Sequence, residues 1–237
     1  MLDPTIIFED ESFFVVDKPT GWISNDASTT TTQPVIQTWV RENFDYPLKG
    51  DKEYRDGLVH RLDKETSGIL LVAKTKQVFE ALQGQFKERV VKKTYVALVH
   101  GKVEPQEGVV DQPVGRLPWR KDRFGVLPGG RDAVTNYKVV SNHTDKITNE
   151  QYSLLELTPK TGRTHQIRIH AKHIGHPLVS DTFYAGRKTA RKDRMWCPRL
   201  FLHAQGISFV HPTSGESVFF KSKLPFDLKT SLQKREK

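Results

Sequence analysis

Apolar residues come in short runs separated by polar turns, and the spacing within each run predicts its element. TIIFEDESFFVVDKP holds two such runs, 5–8 and 13–16, parted by Glu9, Asp10, Glu11 and Ser12. That pattern predicts a hairpin whose second strand ends at Lys18-Pro19. Residues 24–33, with Thr29 to Thr32 in succession, predict a polar loop. Val35, Ile36, Trp39, Val40 and Phe44 fall at helical spacing within 33–44. Gly68 to Ala73 predicts a short buried strand, and Val78, Phe79, Leu82 and Phe86 line one face of a helix over 76–90. A strand at 93–100 ends at Gly101. The Gly- and Pro-rich stretch 102–132 predicts irregular chain with short strands at most. Strands follow at 134–140 and 152–158. A helix over 164–174 starts after Thr161-Gly162 and stops at Gly175, with Pro177 two residues on. Residues 180–199 predict a basic loop or short helix. Strands at 200–210 and 217–221 flank the turn Pro212 to Gly215, and a polar helical tail closes the chain from Leu228.

Strands outnumber helices and mostly follow one another. This predicts an α+β fold, a central mixed, mainly antiparallel sheet flanked by helices and loops. Residues 1–237 are expected to form one catalytic-sized domain, with a bilobed form as a variant. No internal repeat or linker interrupts the pattern.

Charge adds direction. The 237 residues carry 37 Lys+Arg against 28 Asp+Glu, a formal charge of +9. Residues 1–26 have six acids and one base, a net of −5. Residues 163–199 hold nine bases (Arg163, Arg168, Lys172, Arg187, Lys188, Arg191, Lys192, Arg194, Arg199) and two acids, a net of +7. A second basic stretch, Arg116, Arg120, Lys121, Arg123 and Arg131, is interleaved with Trp119 and Phe124. Cations with aromatics between them suit a phosphate backbone and exposed bases. No apolar run approaches the ~18 residues of a membrane span, and no basic region leads into an apolar stretch at the start. The single cysteine, Cys197, cannot close an internal disulfide, which suits a reducing cytoplasm.

Two clusters could carry chemistry. Gly57-Leu-Val-His60-Arg61-Leu62-Asp63-Lys64-Glu65-Thr66-Ser67-Gly68 sets a carboxylate among bases on a loop with glycine at each end. A carboxylate near arginine stays ionised at neutral pH and can act as nucleophile or base. The plainer reading is a turn in which Asp63 pairs with Arg61. Thr161-Gly162-Arg163-Thr164-His165-Gln166-Ile167-Arg168-Ile169-His170 offers planar guanidinium forks for carboxylate or phosphate. Its plainer reading is a capped amphipathic helix. His165, His170, His173 and His176 invite a metal, yet no established zinc-ligand spacing is present. G-x-G-x-x-G, Walker and G-x-S-x-G motifs are absent.

VVDKPTG at 15–21, HRLDKETSGILLVAK at 60–74, KKTYVALVHG at 92–101 and TGRTHQIRIHAKHIGHPLVSDTFYAG at 161–186 together resemble the RluA family of RNA pseudouridine synthases. The resemblance runs along almost the whole chain. It implies an isomerase of uridine in structured RNA (tRNA, rRNA or both) that breaks the glycosidic bond, turns the base and rejoins it through C5. Neither cofactor nor metal is implied. Asp63 matches the family's catalytic aspartate, Arg168 the arginine that pairs with it, and Tyr95 the tyrosine lying against the target base. Arg61 matches the arginine that helps extrude the base, and Ile167 the aliphatic neighbour of the site. His60 and His165 belong to the same motifs. By charge alone, RNA phosphates are expected at Arg163, at Arg116, Arg120, Lys121 and Arg123, and at Arg187, Lys188, Arg191 and Lys192. The pattern begins within the first ten residues, so a short form lacking the S4-type RNA-binding domain is expected. It would be monomeric and cytoplasmic, with no obligatory protein partner and no membrane. The alternatives are a catalytically silent RNA-binding module of the same fold and a metal-dependent hydrolase built on the histidines.

Overall fold

The computed structural model describes residues 2–26, 30, 32–145 and 148–236, and all their side chains except those of Lys121, Arg235 and Glu236. Thr29 and Thr31 of the expected polar loop, and the Lys121 side chain, lie outside that set. The strands are β1 (Thr5–Glu9), β2 (Phe13–Lys18), β3 (Ser67–Ala73), β4 (Lys92–His100), β5 (Glu107–Asp111), β6 (Val114–Leu117), β7 (Arg120–Val126), β8 (Val134–Thr144), β9 (Gln151–Pro159), β10 (Leu202–Val210) and β11 (Ser217–Lys221). The helices are α1 (Ile36–Asn43), α2 (Lys76–Lys87), α3 (Gln166–His173), α4 (Arg187–Asp193) and α5 (Phe226–Glu236), with a 3-10 turn at Arg55–Gly57. The fold is α+β and mainly antiparallel, as the pattern predicts. Among the described residues no helix is long and apolar enough to cross a membrane.

The chain divides into two compact units, one of Met1–Lys92 with Ala204–Lys223, the other of Lys93–His203 with Leu224–Lys237. In the first, strands run in the order β1, β2, β3, β10, with β11 paired to β10. Every residue of β3 is buried, which is why its sequence is a continuous apolar run. Antiparallel pairing sets Phe13 opposite Ala73 and Lys18 opposite Gly68. Helix α2 begins where the Thr75 hydroxyl accepts a hydrogen bond from the Val78 N–H at 3.3 Å. It stops three residues short of the expected 90, because Arg89 turns left-handed at φ 62° and the Val90 N–H closes on the Gln85 carbonyl at 2.9 Å.

In the second unit the order is β4, β9, β8, β5, all pairs antiparallel. Ala97 and Val99 of β4 join Leu155, Leu157, Ile167, Ala171, Leu178 and Leu200 in one core cluster. Val96 and Leu98, on the opposite pleat face, join Tyr152, Cys197, Phe201 and Leu228 in another. Both faces of this sheet are therefore covered. The stretch expected to be irregular contains β5 and the β6–β7 hairpin. That hairpin holds because Val114 packs with Ala133, Ile169 and Tyr184, with Phe124 and Val126 against them, while Arg116 and Arg120 stay exposed. The two-residue turn Pro118-Trp119 joins its strands and leaves Trp119 71% exposed.

Candidate functional site

Asp63 lies in the loop that leads into β3. The loop is tied at both ends by glycines that no other residue could replace without moving backbone. A Cβ on Gly57 (φ +80°) would stand 2.0 Å from the Ala73 carbonyl oxygen, and one on Gly68 (φ +115°) 2.2 Å from that of Ala204. Gly68→Ala should cost on the order of 3–5 kcal/mol through clash and strain together, read as a lowered urea midpoint.

Between the glycines, buried polar groups hold the loop. The Ser24 hydroxyl donates to the Leu62 carbonyl at 2.8 Å and accepts from the Leu62 N–H at 2.9 Å. Lys18, fully buried, donates to the carbonyls of Pro19 (3.0 Å), Trp22 (2.8 Å) and Lys64 (3.2 Å). An ammonium has three donors, and each meets a backbone acceptor here. The Gly21 N–H adds a bond to Lys64 O at 2.8 Å, the Thr20 hydroxyl one to Glu65 O at 3.0 Å, and the Thr66 N–H one to Asp63 O at 3.1 Å. The VVDKPTG segment thus clamps the loop that carries Asp63. Leu62 is buried, whereas Arg61 is exposed and Asp63 half-buried, so the loop presents the cation and the carboxylate. His60 turns inward: its Nε2 accepts from the Leu71 N–H at 3.2 Å, and its ring lies 5.1 Å from that of Phe86.

Arg168 and Tyr95 belong to the second unit. Helix α3 starts at Gln166 rather than 164, because His165 takes a left-handed backbone (φ 55°, ψ 20°). The Gln166 carboxamide oxygen accepts from the Thr161 hydroxyl (2.7 Å) and the Arg163 N–H (3.0 Å), while its nitrogen donates to Val134 O and the Thr135 hydroxyl, both at 3.0 Å. Residues Gln166 to Ala171 are all buried. Ile167 faces the core against which Tyr95 also packs.

Arg168 faces Asp181. Nε and one Nη each donate to that carboxylate at 2.8 Å, with the arginine 2% and the aspartate 0% exposed. Asp181 Oδ1 also accepts from the N–H groups of Phe183 (2.9 Å) and Tyr184 (3.0 Å). Those two rings lie 5.3 and 5.2 Å from the Arg168 guanidinium carbon. Ser180 enters this loop at φ 61°, held by its N–H on Asp193 (2.9 Å) and its hydroxyl on Cys197 O (2.6 Å). His165 joins the same group, its Nδ1 2.9 Å from the Tyr184 hydroxyl.

Lys93 lies two residues before Tyr95 on β4, and so on the same strand face. Desolvation pushes its pKa down to about 8. Keeping it protonated at neutral pH costs on the order of 3 kcal/mol. The folded state gives up the proton near pH 8 and the unfolded chain near 10.5, so the unfolded state binds more protons between those values and stability rises across them. Lys93→Met should therefore melt higher than wild type at pH 7. Melting curves should show that gain shrinking from pH 8 upward and gone above 10.5.

The bases do not all lie on the surface. Arg168 is buried against Asp181, and Arg199 against Asp227 at 2.6 Å. Those two of the nine bases in 163–199 are held in buried ion pairs, so seven of the nine remain for the expected basic face. Arg187, Lys188, Arg191 and Lys192 are exposed on α4. Arg163 Nε donates to Asp132 O at 3.0 Å. Arg116 lies 4.8 Å over the Phe124 ring and Arg123 4.4 Å over that of Phe183, while Arg120 pairs with Asp122 at 3.3 Å.

His170 and His176 are bonded within the fold, whereas His173 is exposed. His170 places one ring nitrogen 2.9 Å from the Thr135 hydroxyl and the other 3.0 Å from Gln112 O, and His176 Nδ1 lies 2.8 Å from His100 O. Among the described residues no group of three His, Cys, Asp or Glu side chains could hold a metal.

Lys18, Ser24 and Asp181 had no assigned role in the sequence. Asp181 had a signal, as one of only two acids in the most basic stretch of the chain.

A family model described as RNA pseudouridylate synthase matches residues 12–173. An uncharacterized RNA pseudouridine synthase of Chloroflexus aurantiacus is 38% identical over 92% of this chain and 65% of its own length. Ribosomal large subunit pseudouridine synthase D of Nitrosomonas europaea is 37% identical over 96% of this chain and 64% of its own. The chain thus spans slightly less than two thirds of these relatives. Human RNA pseudouridylate synthase domain containing 1 superposes with a TM-score of 0.74 at 27% identity, covering 94% of this chain and 84% of that one.

Proposed function

The chain belongs to the RNA pseudouridylate synthase family, and we propose that it isomerises uridines in structured RNA, tRNA or rRNA, to pseudouridine. The reaction breaks the C1′–N1 bond of the nucleoside, turns the freed uracil and forms C1′–C5. The C5 proton leaves and N1 gains one, so no oxidant, water or cofactor is consumed. The target must leave its stack before any side chain can reach it. Arg61, exposed on the loop, is the group proposed to extrude it.

Asp63 is the proposed acting carboxylate, on the ribose or on the base. The observation that carries this reading is the immobilisation of its loop. Buried Lys18, Ser24 and the two glycines fix the backbone on both sides of Asp63, and preorganisation of that kind is what an acting group needs. Tyr95 is proposed to lie against the uracil, with its hydroxyl moving the C5 proton. Arg168 is proposed to hold the Asp63 carboxylate ionised and oriented. Its bonds to Asp181 use two of the five N–H donors of a guanidinium. The exposed bases of α4 and of the β6–β7 hairpin would meet phosphates. On this reading the chain works as a cytoplasmic monomer without an obligatory protein partner.

The test uses unmodified tRNA and rRNA transcripts, the purified full chain, and pseudouridine-specific carbodiimide adducts read by reverse transcription. A small set of new stops is expected. No stop on either RNA class would overturn the proposal.

A further inference from the structure

The second unit carries a cleft of about 520 Å³, within the roughly 300–1,000 Å³ of small-ligand sites. Asp63, Tyr95 and Arg168 are not among its lining residues. Arg120 and Arg123 reach it from β7, Lys172 from α3 and Arg187 from the start of α4, and Phe183 and Tyr184 supply aromatic walls. No carboxylate is among its described lining residues.

Arg123 is posed for an anion. Its guanidinium stacks on Phe183 and donates through Nη1 to the Phe183 carbonyl. Its buried Nε has no hydrogen-bond partner among the described residues. The neighbouring acid is Asp122, 63% exposed, at 3.5 Å from Arg123 Nε and 3.3 Å from Arg120 Nε. Exposed pairs of this kind are weak, and a phosphate oxygen displaces such a carboxylate at little cost. Phe183 is 40% exposed, its backbone is held by the N–H bond to Asp181, and its ring contacts Arg123 and Arg168, so a base meeting that ring meets a partly ordered one.

The geometry points to this cleft as the seat of one unpaired ribonucleotide of the substrate RNA, its phosphate on Arg120, Arg123 and Arg187 and its base against Phe183. This deepens, and rests on, the RNA-modifying reading above. A paired base offers no open face to an aromatic ring, whereas an unstacked one does. Phe183 and Tyr184 also touch the guanidinium of Arg168, so the bound nucleotide is a near neighbour of the target uridine.

Single-stranded heptauridylate and a 12-base-pair RNA duplex serve as probes, read by fluorescence anisotropy on the full chain at several salt concentrations. Lys172→Gln and Arg187→Gln alter exposed side chains that the fold does not need. Each should weaken heptauridylate binding about 5-fold and lower the slope of log K against log salt by about 0.7. Phe183→Leu should weaken it about 10-fold at unchanged slope. Duplex affinity should stay within about twofold in all three. A 4-thiouridine in the heptamer should crosslink within residues 182–187. Unchanged heptauridylate affinity in all three variants, equal losses on duplex and single strand, or a crosslink elsewhere would each overturn the proposal. Isomerisation by wild type with cleft-independent binding removes the cleft and leaves the enzyme reading. Cleft-dependent binding with no isomerisation keeps an RNA site here and removes the enzyme reading.

Discussion

Asp63→Asn should leave a folded protein that binds RNA as wild type does and forms no detectable pseudouridine, a loss of about 10⁴-fold or more in rate. The side chain keeps its size, and its loop is held by bonds that do not involve the carboxylate: Ser24 to Leu62, Lys18 to Lys64 and Thr20 to Glu65. Only the charge and the nucleophilic oxygen pair are removed. Product is measured by release of tritium from C5-labelled uridine in transcripts, with binding followed separately by filter retention. Wild-type-like turnover in this variant would overturn the role given to Asp63. Loss of both binding and turnover would show that the substitution had damaged the fold instead.

Asp181→Asn is the second large effect, and it falls on stability as well as activity. Removing the charge from one partner of a buried, bidentate ion pair costs about 3–5 kcal/mol. For a chain of this length that lowers the melting temperature by on the order of 10 °C. The amide keeps one oxygen for Phe183, Tyr184 and one Arg168 Nη, but its NH2 faces Arg168 Nε, so the second 2.8 Å bond that sets the guanidinium plane is lost. Turnover should fall with it even at temperatures where the variant is folded. The double variant Arg168→Met/Asp181→Leu separates the two roles. Apolar residues of similar size should restore part of the stability, less what the unpaired Phe183 and Tyr184 N–H groups cost, while turnover stays absent because the arginine is gone. Recovery of turnover in that variant would show that Arg168 serves packing alone.

The Arg168–Asp181 pair also shows why part of the site could not be read from the chain. Its members are 13 residues apart, in a helix and in the loop beyond it, and no local spacing links them. Counting the bases of 163–199 overstated by two the number that can face RNA, for the same reason. Whether an arginine is a surface cation or half of a neutral buried pair depends on which acid reaches it, and Asp181 and Asp227 reach Arg168 and Arg199 only after folding. Lys18 is a parallel case. A lysine closing a strand reads as a solvated end, yet the strand register sets it opposite Gly68, beneath the Asp63 loop. The hairpin of β6 and β7 escaped because Gly and Pro mask a pattern whose apolar contacts come from α3.

By itself the sequence determined the α+β class, most element positions and the family, because period-2 and period-3.6 apolar patterns and linear motifs are local properties of the chain. It also determined that a carboxylate would sit on a glycine-bounded loop and that basic residues would cluster with aromatics. Tertiary structure alone decided which charges are buried in ion pairs, which backbone groups hold Asp63 in place, and that four Lys or Arg side chains and the rings of Phe124, Phe183 and Tyr184 close around one cleft. Those outcomes depend on approaches of 2–4 Å between residues far apart in the chain, and such approaches are set only when the core packs.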